Sequence, residues 1–381
     1  MIRKVYIDFI TQKLLHYDIG WFFRRALQYL LIQSGFRRWA DDAGKPLCGP
    51  ILASLSVTYA CNYRCRMCNF HLRHAEMKGK NFPELSTEEW LQAIRDLATL
   101  GVSGVGFTGG EPLLRKDIFA MVETAKAVGL ITHLNTNAYF LDDITIEKVL
   151  DAGTDSVNIS LDGATAEVHD ASRGYPGAFE RAVTAIRRLN ARRRERKVPA
   201  RLKVVAVLSP HNVDSVRDLV LFARDLGTDC IELIPEQPFL QPATKPSAAF
   251  LQRIKQAVEV LRSFGRAGIA LENSPRHLSL FEHSFRGEKS PLKCFAAYNS
   301  IGLDTYGELF PCMPYINRGR SFGNIRNVSL QEFWYGDKSR GWRKEVSHCH
   351  DCFLNCQAEL NLLFQPLYKP KPKSNPNPAG S

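Results

Sequence analysis

Short apolar runs alternate with amphipathic segments through the middle of the chain. In the amphipathic segments, apolar residues recur every three or four positions, which is the spacing of one face of a helix. The apolar runs predict six strands, at 53–58, 102–107, 130–136, 156–161, 202–208 and 229–234. Strands that alternate with helices in this way are typical of a parallel sheet, and right-handed crossovers would curl that sheet into an open or partial barrel.

The helices between these strands have sequence signals at their ends. Ser86 followed by Glu89 has the spacing of a capping box, and Gly101 suits the end of the helix that begins there. Other helices are predicted at 116–128, 144–152, 178–192 and 213–226. Because the carboxyl ends of parallel strands share one edge, we expect the chemistry of this α/β domain to lie there.

Three regions lie outside this pattern. Residues 1–46 are predicted to form an amphipathic helical extension, in which Arg24 and Arg25 interrupt a run of aromatic and aliphatic residues. That run is too short and too charged to span a bilayer. It could lie on a membrane surface, cap an open edge of the main domain or form a dimer contact. Residues 241–290 are predicted to be a helical linker region, and the Pro-rich residues 369–381 a disordered tail.

Composition and charge limit the partners and the compartment. The chain has 381 residues, of which 45% are hydrophobic, so it can bury one large domain and a smaller one. Much of its formal charge of +11 comes from a helix end at 192–197 and from the tail, and no nucleic-acid-binding module accompanies it, so we predict no nucleic-acid partner. The ten cysteines do not form a secreted disulfide framework, and no cleavable signal peptide is visible. We therefore expect a cytoplasmic protein, with peripheral contact to the membrane left open.

The most informative motif is the cysteine triplet Cys61, Cys65 and Cys68, spaced C-x3-C-x2-C directly after the first predicted strand. A structural zinc site is normally closed by four protein ligands, whereas three thiolates would leave one iron of a 4Fe–4S cluster open to another molecule. The segment Gly109-Gly110-Glu111-Pro112 follows the second strand. Its glycines would let the backbone approach a ligand closely, and its carboxylate could accept from an amino group.

These two motifs and the strand before the triplet resemble the radical S-adenosylmethionine (SAM) superfamily. The resemblance implies a partial (β/α)6 barrel at 50–240, a 4Fe–4S cluster on the three cysteines, and cleavage of SAM to a 5′-deoxyadenosyl radical. The residues that it implies in SAM binding are Met67, Gly109, Gly110, Glu111, Asn137, Ser160 and Arg173. Gly109, Gly110 and Glu111 would hold the methionine amino group, and Met67 would lie near the adenine. Asn137, Ser160 and Arg173 are candidates for the ribose and the carboxylate, although Arg173 could equally be an ordinary surface arginine. A zinc knuckle or an inert cysteine loop is the structural alternative.

A second group of cysteines lies near the end of the chain. Cys294 and Cys312, with Gly307 five positions before Cys312, resemble the opening of SPASM and twitch extensions, in which a hairpin brings two cysteines to an auxiliary 4Fe–4S cluster. Cys349, Cys352 and Cys356 follow. Because the full SPASM pattern has seven cysteines and this group has five, a single auxiliary cluster in a domain at 291–360 is favoured. Its expected ligands are Cys294, Cys312, Cys349 and Cys352, with Cys356 as the alternate, and zinc is the other candidate metal.

The resemblance implies a hydrogen abstraction from a peptide or a small natural product. An auxiliary cluster nearby could accept the second electron, which favours net oxidation, and the first cluster would need a reducing partner such as flavodoxin or ferredoxin. Two alternatives stay open. One is a non-oxidative radical enzyme, an epimerase or methyl-group transferase on a lipid- or sugar-linked substrate, with Cys230 or Cys356 as hydrogen donor. The other is a non-catalytic iron–sulfur or zinc protein.

Overall fold

The computed structural model describes residues 19–39, 45–79, 82–237 and 246–365. The predicted tail and parts of the predicted extension, 1–18 and 40–44, lie outside these ranges. The described strands are β1 (Leu52–Thr58), β2 (Gly104–Gly109), β3 (Ile131–Thr136), β4 (Ser156–Ser160), β5 (Arg201–Leu208), β6 (Cys230–Pro235), β7 (Ser300–Asp304) and β8 (Leu309–Phe310). They form one sheet in the order β6-β5-β4-β3-β2-β1-β7-β8.

All six predicted strands are present, and no boundary differs from its prediction by more than two residues. β1 to β6 pair in parallel and in chain order, which confirms the predicted partial barrel. β7 and β8 were not among the six strands predicted for the barrel: β7 pairs in parallel with β1, and β8 returns antiparallel to β7. One sheet thus continues from the barrel into the cysteine-rich region. The division into domains at 50–240, 241–290 and 291–360 stays a prediction.

Helices cover the outer face of the sheet and connect its strands. They are α1 (Ile19–Trp39), α2 (Phe70–Gly79), α3 (Thr87–Leu100), α4 (Ile118–Ala127), α5 (Asp143–Asp151), α6 (Ala166–Arg173), α7 (Ala178–Glu195), α8 (Val216–Asp225), α9 (Ala248–Arg266), α10 (Pro275–Leu278), α11 (Phe281–Phe285), α12 (Met313–Arg318), α13 (Leu330–Tyr335), α14 (Lys338–Ser347) and α15 (Asn355–Phe364). The predicted capping box of α3 is confirmed: the Ser86 hydroxyl accepts from the Glu89 amide, and the Glu89 carboxylate accepts from the Ser86 amide. Among the described helices, none combines the length and the apolar character needed to cross a bilayer.

The strands separate an apolar outer face from a polar inner face. In β5, Leu202, Val204 and Ala206 are fully buried on the helix side, whereas Arg201 and Lys203 line the lumen of the barrel. This is the period of two expected for an extended strand, although Val205 also faces the lumen. The lumen is therefore a chamber with charged walls inside an otherwise hydrophobic domain.

The open side of the partial barrel is closed by the chain's last described helix. The segment just before α15 contacts residues next to β6: the Phe353 amide donates to Gln237 Oε1 at 3.3 Å, and the Phe353 carbonyl lies 3.1 Å from His277 Nε2. At the other side, the Ser300 hydroxyl at the start of β7 donates to Gln357 Oε1 at 2.7 Å. α15 therefore bridges the gap between β6 and β7.

The extension helix α1 packs beneath the barrel, at the amino ends of β1 and β2. The Gln28 amide donates to the carbonyls of Gly49 and Gly101, at 2.9 Å each, and Arg25 donates to the Gly101 carbonyl at 2.7 Å. The Tyr29 ring stacks on Phe364 of α15 at 4.9 Å. Of the three placements considered for the extension, this one corresponds to capping the main domain.

Candidate active site

The first three cysteines lie together on the loop that leaves β1. The Cys68 amide donates to the Cys65 carbonyl at 3.1 Å, and the Tyr63 amide points at the Cys61 sulfur at 3.5 Å. All three thiols are free and partly buried. Burial raises the pKa of each thiol, that of Cys61 to about 11. Metal binding would therefore have to displace the three protons, as is usual for thiolate sites.

Gly109 and Gly110 bring the end of β2 against the backbone that leads into the cysteine loop. The Gly110 amide donates to the Thr58 carbonyl at 2.7 Å, and the next amide, of Glu111, donates to the Ala60 carbonyl at 2.8 Å. A Cβ atom would lie 2.2 Å from the Thr58 oxygen at Gly109 and 2.0 Å from the Ala60 oxygen at Gly110. Packing within the chain thus already requires both glycines. Their contact with the methionine group stays a prediction.

Glu111 joins the loops that follow β2 and β3. Its side chain is only 1% exposed and accepts hydrogen bonds from Thr136 Oγ1 at 2.8 Å, the Asn137 amide at 2.8 Å and the Leu113 amide at 3.0 Å. Burial raises the pKa of this carboxyl to about 7. A carboxylate has about four acceptor positions, so little of Glu111 remains for a ligand. Its direct role in holding an amino group stays a prediction.

Asn137 links the loop after β3 to the cysteine loop. Its Nδ2 donates to Asn62 Oδ1 at 2.8 Å and lies 3.9 Å from the Cys61 sulfur. Two buried donors on the cysteine loop, Asn62 Nδ2 and Tyr63 Oη, have no hydrogen-bond partner within the described part of the chain. A buried polar group without a partner costs about 1–3 kcal/mol, so these donors fit a site whose acceptors belong to a bound group. The loop therefore fits an iron–sulfur cluster and its cosubstrate.

Arg173 lies against the cysteine loop, inside the protein. Its Nη2 donates to Asp162 Oδ1 at 2.8 Å and its Nε lies 2.8 Å from Oδ2, so both ends of the guanidinium fork contact one carboxylate. Asp162 is fully buried and also accepts from the Val207 amide at 2.9 Å. Burial raises the pKa of the Cys65 thiol, and the Arg173 cation opposes that rise. Arg173 is thus no surface arginine, but its carboxylate partner here belongs to the chain itself.

Helix α6, which carries Arg173, was missing from the sequence prediction. It packs on the cysteine loop, because the Ser172 carbonyl accepts from the Arg66 amide at 3.1 Å. Gly174 ends the helix with a φ of +62°, and a Cβ atom there would lie 2.4 Å from the Arg64 carbonyl oxygen. Two signals were available in the sequence: Thr165 as N-cap and this glycine as the end of the helix. Of the other predicted residues, Met67 is buried beside Cys68, and Ser160 ends β4 at the same edge.

Four of the five later cysteines line one small cavity: Cys294, Cys312, Cys349 and Cys352. The predicted hairpin is confirmed, because β7 and β8 turn at Gly307, with a φ of +85°, and bring Cys294 and Cys312 together. A hydrogen bond between the Cys294 and Cys349 thiols raises the pKa of Cys294 and lowers that of Cys349. Within the described ranges, no three His, Cys, Asp or Glu side chains are arranged to hold a single metal ion. In a 4Fe–4S cluster each thiolate instead binds a different iron.

Cys356 faces a different space. It stands in the first turn of α15 and lines the lumen cavity, which has a volume of about 340 Å³. Burial raises the pKa of its thiol to about 12, and the Glu232 carboxylate adds to that rise. The same two short segments, 312–314 and 352–357, contribute to the walls of both cavities. The four-cysteine cavity and the lumen are therefore neighbours.

Comparison with known proteins agrees with this geometry. A family model for the radical SAM superfamily matches residues 55–223, and one for the SPASM iron–sulfur cluster-binding domain matches residues 294–353. Two relatives, both named PqqA peptide cyclase, come from Bradyrhizobium diazoefficiens and Rhodopseudomonas palustris. The first is 27% identical over 82% of this chain and 83% of the relative, and the second 29% identical over 82% and 84%.

Two solved structures share the fold. SuiB of Streptococcus suis, bound to the precursor peptide SuiA, has a TM-score of 0.61 at 18% identity, covering 77% of this chain and 66% of SuiB. The enzyme anSMEcpe, with bound AdoMet and a peptide, has a TM-score of 0.59 at 17% identity, covering 79% of this chain and 85% of anSMEcpe. Since the two family models coincide with the two groups of cysteines, this chain is an enzyme with a radical SAM domain, which uses SAM and a 4Fe–4S cluster, and a C-terminal SPASM iron–sulfur domain.

Proposed function

We propose that this chain oxidises a peptide substrate held in the lumen of the barrel, with the four-cysteine centre accepting the second electron. The observation that carries the proposal is the shared wall between the two cavities. When bound, the first cluster and SAM supply a 5′-deoxyadenosyl radical that abstracts hydrogen. Four cysteine ligands would leave the second centre no open position, which suits electron transfer better than substrate binding.

A peptide is favoured over a small natural product by the named relatives. The relatives are PqqA peptide cyclases, and they align over most of this chain. α15 closes the side of the barrel, so a side chain of the peptide would enter the cavity of about 340 Å³ from its end. The loops after β1 to β4 form the rim through which that side chain would enter.

A second candidate function is a redox-neutral reaction, in which a thiol returns a hydrogen atom to the substrate radical. The position of Cys356 favours it. In that reaction the Cys356 S–H bond breaks, a C–H bond forms on the substrate carbon, and one electron and one proton from the external reductant restore the thiol. Cys230, the other cysteine considered for this role, is 4% exposed and contacts Glu272 at 3.4 Å. It does not line the lumen cavity.

The first prediction separates the two metal centres. Cys65→Ala is expected to abolish 5′-deoxyadenosine production and to lower the iron content from about eight to about four per chain. Cys312→Ala is expected to lower the iron content equally while deoxyadenosine is still formed. Anaerobic iron and sulfide analysis, with SAM cleavage assayed on the same reduced samples, gives both values. Deoxyadenosine production by the Cys65→Ala variant would contradict the assignment of the first motif.

The second prediction separates oxidation from hydrogen return. With a library of short synthetic peptides in D2O, we expect mass spectrometry to find products that have lost two hydrogens and gained no deuterium at carbon. Cys356→Ala is then expected to change this outcome no more than Cys230→Ala does. Deuterated products that disappear only in Cys356→Ala would establish the second candidate and refute net oxidation.

We propose further that the reductant is an acidic one-electron carrier of the flavodoxin or ferredoxin class, which docks on the cysteine loop. Arg64 and Arg66 stand between the cysteines and are both exposed, so this surface presents positive charge directly over the first centre. Opposite charges across an interface mainly raise the rate of association.

The third prediction follows from this docking surface. Arg66→Glu is expected to raise the apparent KM for flavodoxin by about tenfold at low salt, because it places negative charge against the acidic partner. Dithionite, which needs no docking, tests whether the cluster is intact. Arg187→Glu, at an exposed position on α7, is the matched control. An equal KM for flavodoxin in the two variants would refute docking at this loop.

We also propose that this enzyme is cytoplasmic and that it contacts the membrane surface through α1. The packed side of α1 contains both the polar Gln28 and the apolar Ile32, whereas Phe23, Leu27 and Leu30 are each more than half exposed. These three recur at helical spacing, and apolar side chains in such a row insert at the headgroup boundary.

The fourth prediction concerns binding to vesicles. The double variant Leu27→Gln, Leu30→Gln is expected to lose most of its flotation with vesicles of phosphatidylglycerol and phosphatidylcholine. Leu72→Gln, on the exposed face of α2, is expected to float like the wild type. Failure of the wild type to float would end the proposal.

A further inference from the structure

The lumen cavity has a layered wall, because parallel strands place equivalent residues at the same height. In the pairing register, Gly106, His133, Ser156 and Arg201 are successive partners across β2, β3, β4 and β5. Asn135, Asn158 and Lys203 occupy the next layer toward the rim. All seven residues line the cavity. The deepest layer thus contains one histidine and one arginine, well below the rim residues Gly109 and Ser160.

The two cations of the wall differ in how fully they are paired. Lys203 contacts Glu232 closely, and both side chains are largely buried. Arg201 has weaker partners: its Nη2 lies 3.5 Å from the Cys230 sulfur and 3.7 Å from Glu272 Oε2. A guanidinium has five N–H donors in a planar fork, which suits two oxygens of one carboxylate. Most of the donors of Arg201 are therefore available to a ligand in the cavity.

His133 stands in the same layer as Arg201 and adds a second donor. No hydrogen bond to its ring is found among the described residues, although the ring lines the cavity. Burial, and then the nearby cations Lys203 and Arg201, lower the pKa of His133 to about 4. The ring is therefore neutral at pH 7 and has one N–H group to donate.

The charges around this layer favour an anion over a cation as ligand. A cationic group would meet Arg201 and Lys203, whose positive charges already lower the pKa of His133. Of the cavity's carboxylates, Glu232 pairs with Lys203, and Glu359 accepts from the Ser274 amide at 2.7 Å and lies 3.4 Å from His277 Nδ1. Glu272 accepts from the Cys230 thiol at 3.4 Å and lies 3.7 Å from Arg201 Nη2, so it contacts only one end of that guanidinium.

We propose that Arg201 and His133 form a carboxylate-binding subsite at the floor of the lumen, which anchors an acidic group of the substrate. This deepens the proposed function and rests on it, because it takes the lumen as the substrate chamber. The acidic group is either an Asp or Glu side chain or the carboxyl terminus of the peptide. Both present the same planar pair of oxygens, and different probes distinguish them.

The test is a titration of the oxidised holoenzyme without SAM, observed by NMR of 13C-labelled histidine rings. The His133 signal is identified by its loss in His133→Gln. The probes are N-acetyl-glutamate N-methylamide for a side-chain carboxylate, N-acetyl-alanine for a chain terminus, and butylammonium for a cation. We expect at least one carboxylate probe to shift the His133 signal with a dissociation constant of about 1 mM, and butylammonium to leave it unchanged.

Variants locate the bound carboxylate. Arg201→Gln is expected to lower the affinity for the carboxylate probe at least about tenfold, because a charge-assisted hydrogen-bonded pair is lost. Arg95→Gln, on the exposed face of α3, is expected to bind the probe like the wild type. A shift by butylammonium alone, no shift by any probe, or unchanged affinity in Arg201→Gln would each overturn the subsite. The titration involves no radical chemistry, so absence of SAM cleavage in the separate assay would count against the proposed function and not against the subsite.

Discussion

The buried carboxylate of Glu111 holds together the loops on which the active site is built. Its own amide is bonded to the Ala60 carbonyl, at the start of the cysteine loop, and its oxygens accept from Thr136 and the Asn137 amide after β3. Three loops that are distant in the sequence are thereby fixed to one another without a ligand. Because removing the acceptor would leave buried donors without a partner, the position has little freedom to change.

The second constraint is the closure of an incomplete barrel. Six parallel strands leave a gap between β6 and the strand next to β1, and α15 fills it with side chains that contact both sides. The inner wall can then be polar, since it faces an enclosed chamber and the apolar residues are concentrated on the helix side. The same closure brings Cys349 and Cys352, which precede α15, to the cavity beside the chamber.

Much of this arrangement could be predicted from the sequence. The six strands have strong apolar runs, the start of α3 has a capping box, and the cysteine spacing identifies the first centre. The hairpin of β7 and β8 was expected only from the resemblance, and its place in the barrel sheet was missed because β8 is only two residues long and β7 pairs with a strand almost 250 residues earlier. The partner of Arg173 could not be predicted either: a bidentate pair was expected with a ligand, but Asp162 is buried beneath the arginine by the packing of α6 on the cysteine loop. Spacing along a chain contains no information on such contacts between separate elements.

The shared wall of the two cavities limits how the enzyme could change its substrate. Residues 352–357 line both cavities, with Cys352 and Gln357 at the four-cysteine cavity and Leu354 to Cys356 at the lumen. A substitution that reshapes the chamber from this segment would also disturb the metal centre behind it. The inner faces of β3, β4 and β5 line only the lumen, because the opposite faces of these strands pack against helices. Among proteins with this fold that differ in substrate, we therefore expect the sequence differences to lie on the inner faces of these strands, while the sequence of the closing helix changes little.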